Sequence, residues 1–128
     1  MQTLTGLNTS EIRKFLRSCE YIRGTLGADA PVSYISGLMY LALRDGMGDP
    51  VEVLGLGRAL GMTDARASRI VNYLGEKREH GNKGLGLVRK IEDKFDQRKK
   101  YVELTEKGRY FIQGLVDSIT GEEMIHHA

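Results

Sequence analysis

Apolar residues recur at steps of three and four along most of this chain and shorten to a strand-like spacing only near residues 87–104. Ile12, Phe15, Leu16, Cys19, Ile22 and Leu26 make one stripe and predict a helix over 9–26. Asn8 with Glu11 three positions on resembles a capping box, and Gly24 and Gly27 loosen the far end. Pro31 opens a second helix, in which Ile35, Leu38, Met39, Leu41, Ala42 and Leu43 cover most of the circumference. That pattern predicts the buried centre of the fold. Asp45 to Pro50 reads as a loop. Val53 to Leu60 is a short third helix, weakened by Gly55 and Gly57, which Gly61 ends and Met62 pins. Thr63 then caps a fourth helix over 64–74. Its Ala67, Ile70, Val71 and Leu74 face inward, while Arg66, Arg69, Asn72 and Tyr73 fall on or near the opposite side. Residues 75–86 are polar with four glycines and read as a loop or a frayed helix end. Leu87–Ile91 and Lys100–Leu104 are two strands around a charged turn, Glu92–Lys99. Thr105 caps a last helix, reaching residue 120, with Tyr110, Phe111, Leu115 and Ile119 apolar. Residues 121–128 read as a loose tail.

The order is helix, helix, short helix, turn, helix, hairpin, helix. The expected fold is mainly α with a small β-hairpin: a helix-turn-helix at 53–74 followed by a wing at 87–104. A chain of 128 residues with 41% hydrophobic and 28% charged positions can bury one core, so residues 1–128 are expected to form a single winged-helix domain. Tyr34–Leu43, the longest nearly apolar stretch, is too short to span a bilayer, and Met1–Leu4 lack a signal peptide's pattern. Cys19 stands alone, which excludes an intrachain disulfide and favours a reducing cytoplasm. Three histidines and one cysteine are too few and too scattered for structural zinc, so no metal is expected. Glu122/His126 and Glu123/His127 have helical spacing for a metal but lie in the loose tail. Gly81-Asn-Lys-Gly84 fits a KH-type loop without the strands around it. Neither Gly55-Leu-Gly57 nor Gly84-Leu-Gly86 opens a βαβ unit, and no Walker sequence is present, so no cofactor is expected. No nucleophile is placed beside a base, which argues against an enzyme.

Charge changes the picture through its placement. The net charge is only +2. Between Arg66 and Lys100, however, eleven basic residues stand against five acidic ones, whereas the rest of the chain is acidic. A basic middle that coincides with a helix-turn-helix and wing suits one face that meets a polyanion.

Asp96-Gln-Arg98, three residues, then Val102-Glu-Leu104-Thr105-Glu-Lys-Gly108 resembles the wing of the multiple-antibiotic-resistance-regulator (MarR) family. All six marked positions of that pattern match. Val53 to Thr63 resembles the family's positioning helix and turn, and Ser68-Arg69-Ile70-Val71 with Leu74-Gly-Glu76-Lys77 its recognition helix and exit. The resemblance covers about residues 32–115. Three departures stand out. Arg78 to Leu85 intervene where the family passes directly to Gly-Leu-Val, two glycines sit in the positioning helix, and the C-terminal region is short.

The resemblance implies a sequence-specific, double-stranded-DNA-binding transcription regulator, most simply a repressor on a pseudopalindromic site. It implies an intertwined homodimer, with residues 9–26 and 105–120 as candidate dimerisation helices and Phe15, Leu16 and Ile22 as the candidate seam. Residues 64–74 would enter the major groove. Arg66 and Arg69 would contact guanine or phosphate, Asn72 would read adenine, and Thr63 and Ser68 would donate to phosphate. The turn 92–99 would enter the minor groove through Arg98, with Lys94 and Lys99 supplying phosphate charge. Asp96 would orient a nearby arginine rather than touch DNA. Some family members sense oxidants through a cysteine on the first helix, which gives Cys19 a possible redox role. Its place on the apolar stripe equally suits a buried, inert thiol. The family often binds small amphipathic effectors, and nothing in the sequence identifies one here. Two other readings stay open: a protein-interaction adaptor docking on RNA polymerase or a replication complex, and a sequence-neutral DNA coat.

Overall fold

The computed structural model describes residues 6–76 and 84–121. Residues 1–5, most of the 78–85 insertion with all of the Gly81–Gly84 motif but Gly84, and the Glu122–His127 pairs lie outside the described residues, as do Lys77, Arg78 and Lys83 of the basic window. Five helices and three short strands follow in the order α1 (Thr9–Leu26), α2 (Val32–Gly46), β1 (Val51–Glu52), α3 (Val53–Leu60), α4 (Asp64–Leu74), β2 (Val88–Glu92), β3 (Lys100–Leu104) and α5 (Glu106–Thr120). This is a mainly helical winged-helix fold. No described helix is long and apolar enough to cross a membrane.

The described residues divide into two compact units. One spans residues 30–111 and holds the helix-turn-helix and wing. The other joins residues up to 29 with those from 112 onward.

In the larger unit, antiparallel strands lie in the order β1-β3-β2. Val88 pairs with Leu104 and Glu92 with Lys100, so the hairpin closes around residues 93–99. The first wing strand starts and ends one residue later than the pattern predicts. β1 was not expected. Its Val51 pairs with Val102 on the open edge of β3, and two residues are too few to show a period of two. The core gathers Leu38, Leu41, Leu56, Ile70, Val71, Leu74, Leu87, Val88, Val102 and Leu104, each nearly sealed from water. α2 does not run through the centre as expected. It buries one face, Gly37, Leu38 and Leu41, and leaves Val32 and Leu43 exposed.

α3 and α4 are bounded as the sequence predicts. α3 stops at Gly61, and Thr63 caps α4 by accepting the amide of Arg66 (3.1 Å). Gly57 does more than weaken α3. A methyl group there would stand 3.0 Å from the Met62 carbonyl, so a hydrogen at this position lets helix and turn pack closely.

In the smaller unit, Asn8 caps α1 by accepting the Glu11 amide (3.0 Å). α1 meets the end of α5 through small and polar groups. The Ser118 hydroxyl lies 3.1 Å from that of buried Ser18, and the Tyr21 hydroxyl presses on Gly114. Of the four apolar residues of α5 named above, Phe111 and Leu115 are buried, whereas Tyr110 and Ile119 are exposed.

Candidate nucleic-acid interface

The inward stripe of α4, Ala67, Ile70, Val71 and Leu74, is 0–1% exposed. Burial of that stripe fixes which side of the helix is left to water. At about 100° per residue the outward face is centred on Ala65, Ser68, Asn72 and Arg69. Ala65 and Arg69 are exposed, and Ser68 and Asn72 are half-buried. Thr63 stands exposed at the helix start, with its hydroxyl already accepting the capping bond.

Arg66 stands roughly a third of a turn from Asn72 and is used differently. Its guanidinium donates to Ser33 Oγ at 2.8 Å and lies 6.0 Å from the centre of the Tyr34 ring. Tyr34 in turn meets Tyr73 edge to face, with ring centres 5.0 Å apart. These contacts join one side of α4, through two residues two turns apart, to the first turn of α2, and add hydrogen-bond and cation–π stabilisation. Arg66 thus reaches sideways to Ser33 and Tyr34 of α2. Ser33 and Tyr34 were missed, because a contact across 33 positions leaves no trace in a local pattern.

The wing tip is a hydrogen-bonded knot. The Asp93 carboxylate accepts the amides of Phe95 (2.8 Å) and Asp96 (3.2 Å). The Lys99 carbonyl accepts from Asp93 N (3.1 Å), and the Asp96 carbonyl accepts from Lys99 N (3.0 Å). Asp96 Oδ1 accepts both the Arg98 amide (3.0 Å) and Arg98 Nε (3.1 Å). The Arg98 hydrogen bonds, with the charge of Lys99 helping, hold the Asp96 carboxyl below the usual carboxylate range. The Arg98 side chain is nevertheless 91% exposed. It is aimed by its partner without being covered by it. Lys94 and Lys99 are exposed beside it.

Two ion pairs fasten the strands below the tip, Arg89 with Glu103 and Lys100 with Glu92. A cleft of about 360 Å³ runs between the end of α4 and β2, lined in part by Asn72, Arg89 and Lys90. It places the helix and the wing strand on one surface. Thr105-Glu-Lys-Gly108 is the clasp that holds the wing's base. Thr105 Oγ1 donates to the Gly86 carbonyl (2.7 Å) and accepts the Gly108 amide (3.0 Å). Gly108 packs directly on the Leu87 carbonyl, leaving no room for a Cβ. Arg109 then grips Asp45 of α2 with two bonds of 3.1 Å, and that carboxylate raises the guanidinium's pKa.

The residues expected at a dimer seam are on α1. Phe15 (72%) and Leu16 (59%) are exposed, and Ile22 is half-buried. Cys19 is free and half-buried on the same stripe. Among the described residues no cluster of His, Cys, Asp and Glu is arranged to hold a metal ion. Sequence reading passed over Phe95, which is 97% exposed at the wing tip. Its neighbours are charged, so no periodic apolar pattern marks it.

No protein-family model and no curated protein sequence matches the chain. Solved structures do. The chain is similar in fold to S. aureus MepR in a DNA complex, with 16% identity over 93% of this chain and 86% of that one and a TM-score of 0.69. It is similar to PcaV, a transcriptional regulator from Streptomyces coelicolor solved with its natural ligand (16% identity, 98% and 82% covered, TM-score 0.56). It is also similar to a probable transcriptional regulator from Pseudomonas aeruginosa (20% identity, 93% and 81% covered, TM-score 0.56). All three are winged-helix regulators of the MarR family. The fold that the wing motif implies is the fold observed.

Proposed function

We propose that this chain is a double-stranded-DNA-binding transcription regulator of the MarR type. It acts as a homodimer, most simply as a repressor that occludes a promoter. The outward face of α4 enters the major groove, where base edges are distinguishable and an α-helix fits. Arg69 and Asn72 read or flank bases, and Thr63 and Ser68 hold phosphate with the amides at the helix start. Arg98 enters the minor groove, with Lys94 and Lys99 on the flanking phosphates. Arg66 sets the pitch of α4 on α2 as a positioning residue.

The observation that carries this reading is Arg98. A guanidinium held by Asp96 through its own amide and side chain, yet 91% exposed, is oriented for something outside the chain. The exposed Lys94 and Lys99 beside it suit a polyanion, and the similarity to a regulator solved on DNA supports the same partner. Dimerisation through α1 and α5 is supported by exposed Ile12, Phe15, Leu16, Tyr110 and Ile119. Two helices related by two-fold symmetry would sit about one DNA turn apart.

The test is fluorescence anisotropy against a randomised duplex pool at two salt concentrations, with sequencing of the bound fraction. An enriched palindrome with steep salt dependence is expected. Arg98→Ala should weaken binding and reduce the salt slope by about one. Salt-steep binding that enriches no sequence would make the protein a DNA coat. A folded dimer that binds no duplex at low salt would make it an adaptor.

A further inference from the structure

Phe95 is the most exposed large apolar side chain among the described residues, at 97%. It does not belong to an apolar patch. Lys94 precedes it and Asp96 follows, and the exposed stripe of α1 lies in the other compact unit. A ring so fully in water gains nothing from the fold. A disordered loop would let such a ring fall back onto the strands below. Here the Asp93 carboxylate accepts the amides of both Phe95 and Asp96, and the Asp93 amide is itself tied to the Lys99 carbonyl. The backbone therefore presents the ring at the apex. The same knot presents Arg98 three residues on, with Lys94 and Lys99 beside them. An aromatic ring and an aimed guanidinium on one hydrogen-bonded hairpin tip, with Lys94 and Lys99 exposed beside them and Asp93 and Asp96 taken up in the knot, form a combined surface. The guanidinium and lysines suit phosphate and the negative potential of a narrow groove. The ring suits the apolar face of a base exposed when a step unstacks.

We propose that Phe95 is a minor-groove wedge. It inserts at a flexible pyrimidine–purine step beside the site of Arg98, partly unstacks it and bends the duplex. Bound DNA would then be read partly through its deformability, at a position the recognition helix never touches. This rests on the DNA-binding reading above and adds to it a deforming contact and a sequence preference of its own.

The experiment uses the full chain and a duplex recovered by selection from a randomised pool. That duplex carries 2-aminopurine at the TA or CA step nearest the wing and, in a second version, a donor–acceptor dye pair at its ends. The wild type should raise 2-aminopurine emission on binding and shorten the end-to-end distance. Phe95→Ala should bind about tenfold or more weakly, with both signals lost, and should melt at the wild-type temperature because the ring is exposed. Phe95→Trp should keep the emission change and the bend. Replacing the flexible step by a stiff A-tract step should weaken the wild type and leave Phe95→Ala unaffected. If wild type and Phe95→Ala bind equally tightly, with no emission change in either, the wedge is overturned while DNA binding stands. The ring is then left for a protein partner. If the wild type recovers no duplex from the pool, the DNA-binding reading fails and the wedge fails with it.

Discussion

α1 and α4 carry the same kind of pattern and come to opposite ends. Both start at a side-chain cap and both show apolar residues at steps of three and four. α4 sinks its stripe completely, with Ala67, Ile70, Val71 and Leu74 at 0–1% exposure. α1 leaves Ile12, Phe15 and Leu16 52–72% exposed and turns Ser18 and Tyr21 toward α5 instead. Amphipathic spacing states that a face is to be covered. It does not state whether the cover comes from the same chain. In α4 the cover is α2, α3 and the wing. In α1 nothing among the described residues covers Ile12, Phe15 and Leu16.

Five experiments sharpen or break that contrast. Leu74→Ala should have the largest effect, about 2–5 kcal/mol of unfolding stability, because it opens a cavity in a sealed stripe. Denaturant unfolding measures it, and a loss under about 0.5 kcal/mol would mean that the α4 face is not the core it looks. Phe15→Asp should change the unfolding of the monomer little. It should weaken self-association by about 2–3 kcal/mol, seen as dissociation in sedimentation velocity. An unchanged mass would remove α1 from any interface. Ser18→Leu, which makes α1 more apolar, should nonetheless cost about 1–3 kcal/mol, since the face against α5 has room only for small groups. A stabilised variant would show that this face had merely been underfilled. Arg66→Ala should cost about 1 kcal/mol through loss of the Ser33 and Tyr34 contacts. A DNA-affinity loss confined to one base position, at unchanged stability, would return Arg66 to the reading face.

The smallest effect concerns pH. The Asp96 carboxyl is lowered in the folded wing, so its contact with Arg98 is fully present above the unfolded value of about 3.9. It is lost as pH falls through the lower folded value. A carbon-detected NMR titration should place the Asp96 midpoint below about 3.9, and Arg98→Ala should move it back up. No movement on that substitution would break the assignment of Asp96 as the residue that aims Arg98.

What the sequence determined by itself is what depends on near neighbours. The bounds of α3 and α4 follow from Thr63 as a cap and from a clean apolar period. The second wing strand follows from Lys100–Leu104, and the start of α5 from Thr105 as its cap. That Asp96 orients a nearby arginine was an expectation from the wing resemblance, and the structure makes that arginine Arg98. Tertiary structure alone decided the rest. β1 exists because an open edge of β3 accepts two residues from far upstream. Arg66 turns from the outward face because Ser33 and Tyr34 stand beside it in space. α2 is half-exposed and α1 shows its apolar side because burial depends on which surfaces remain unclaimed once the rest of the chain has packed. Local pattern fixes which face of a helix is apolar, since that is geometry within one turn. Which partner meets that face is settled by long-range competition for a limited core.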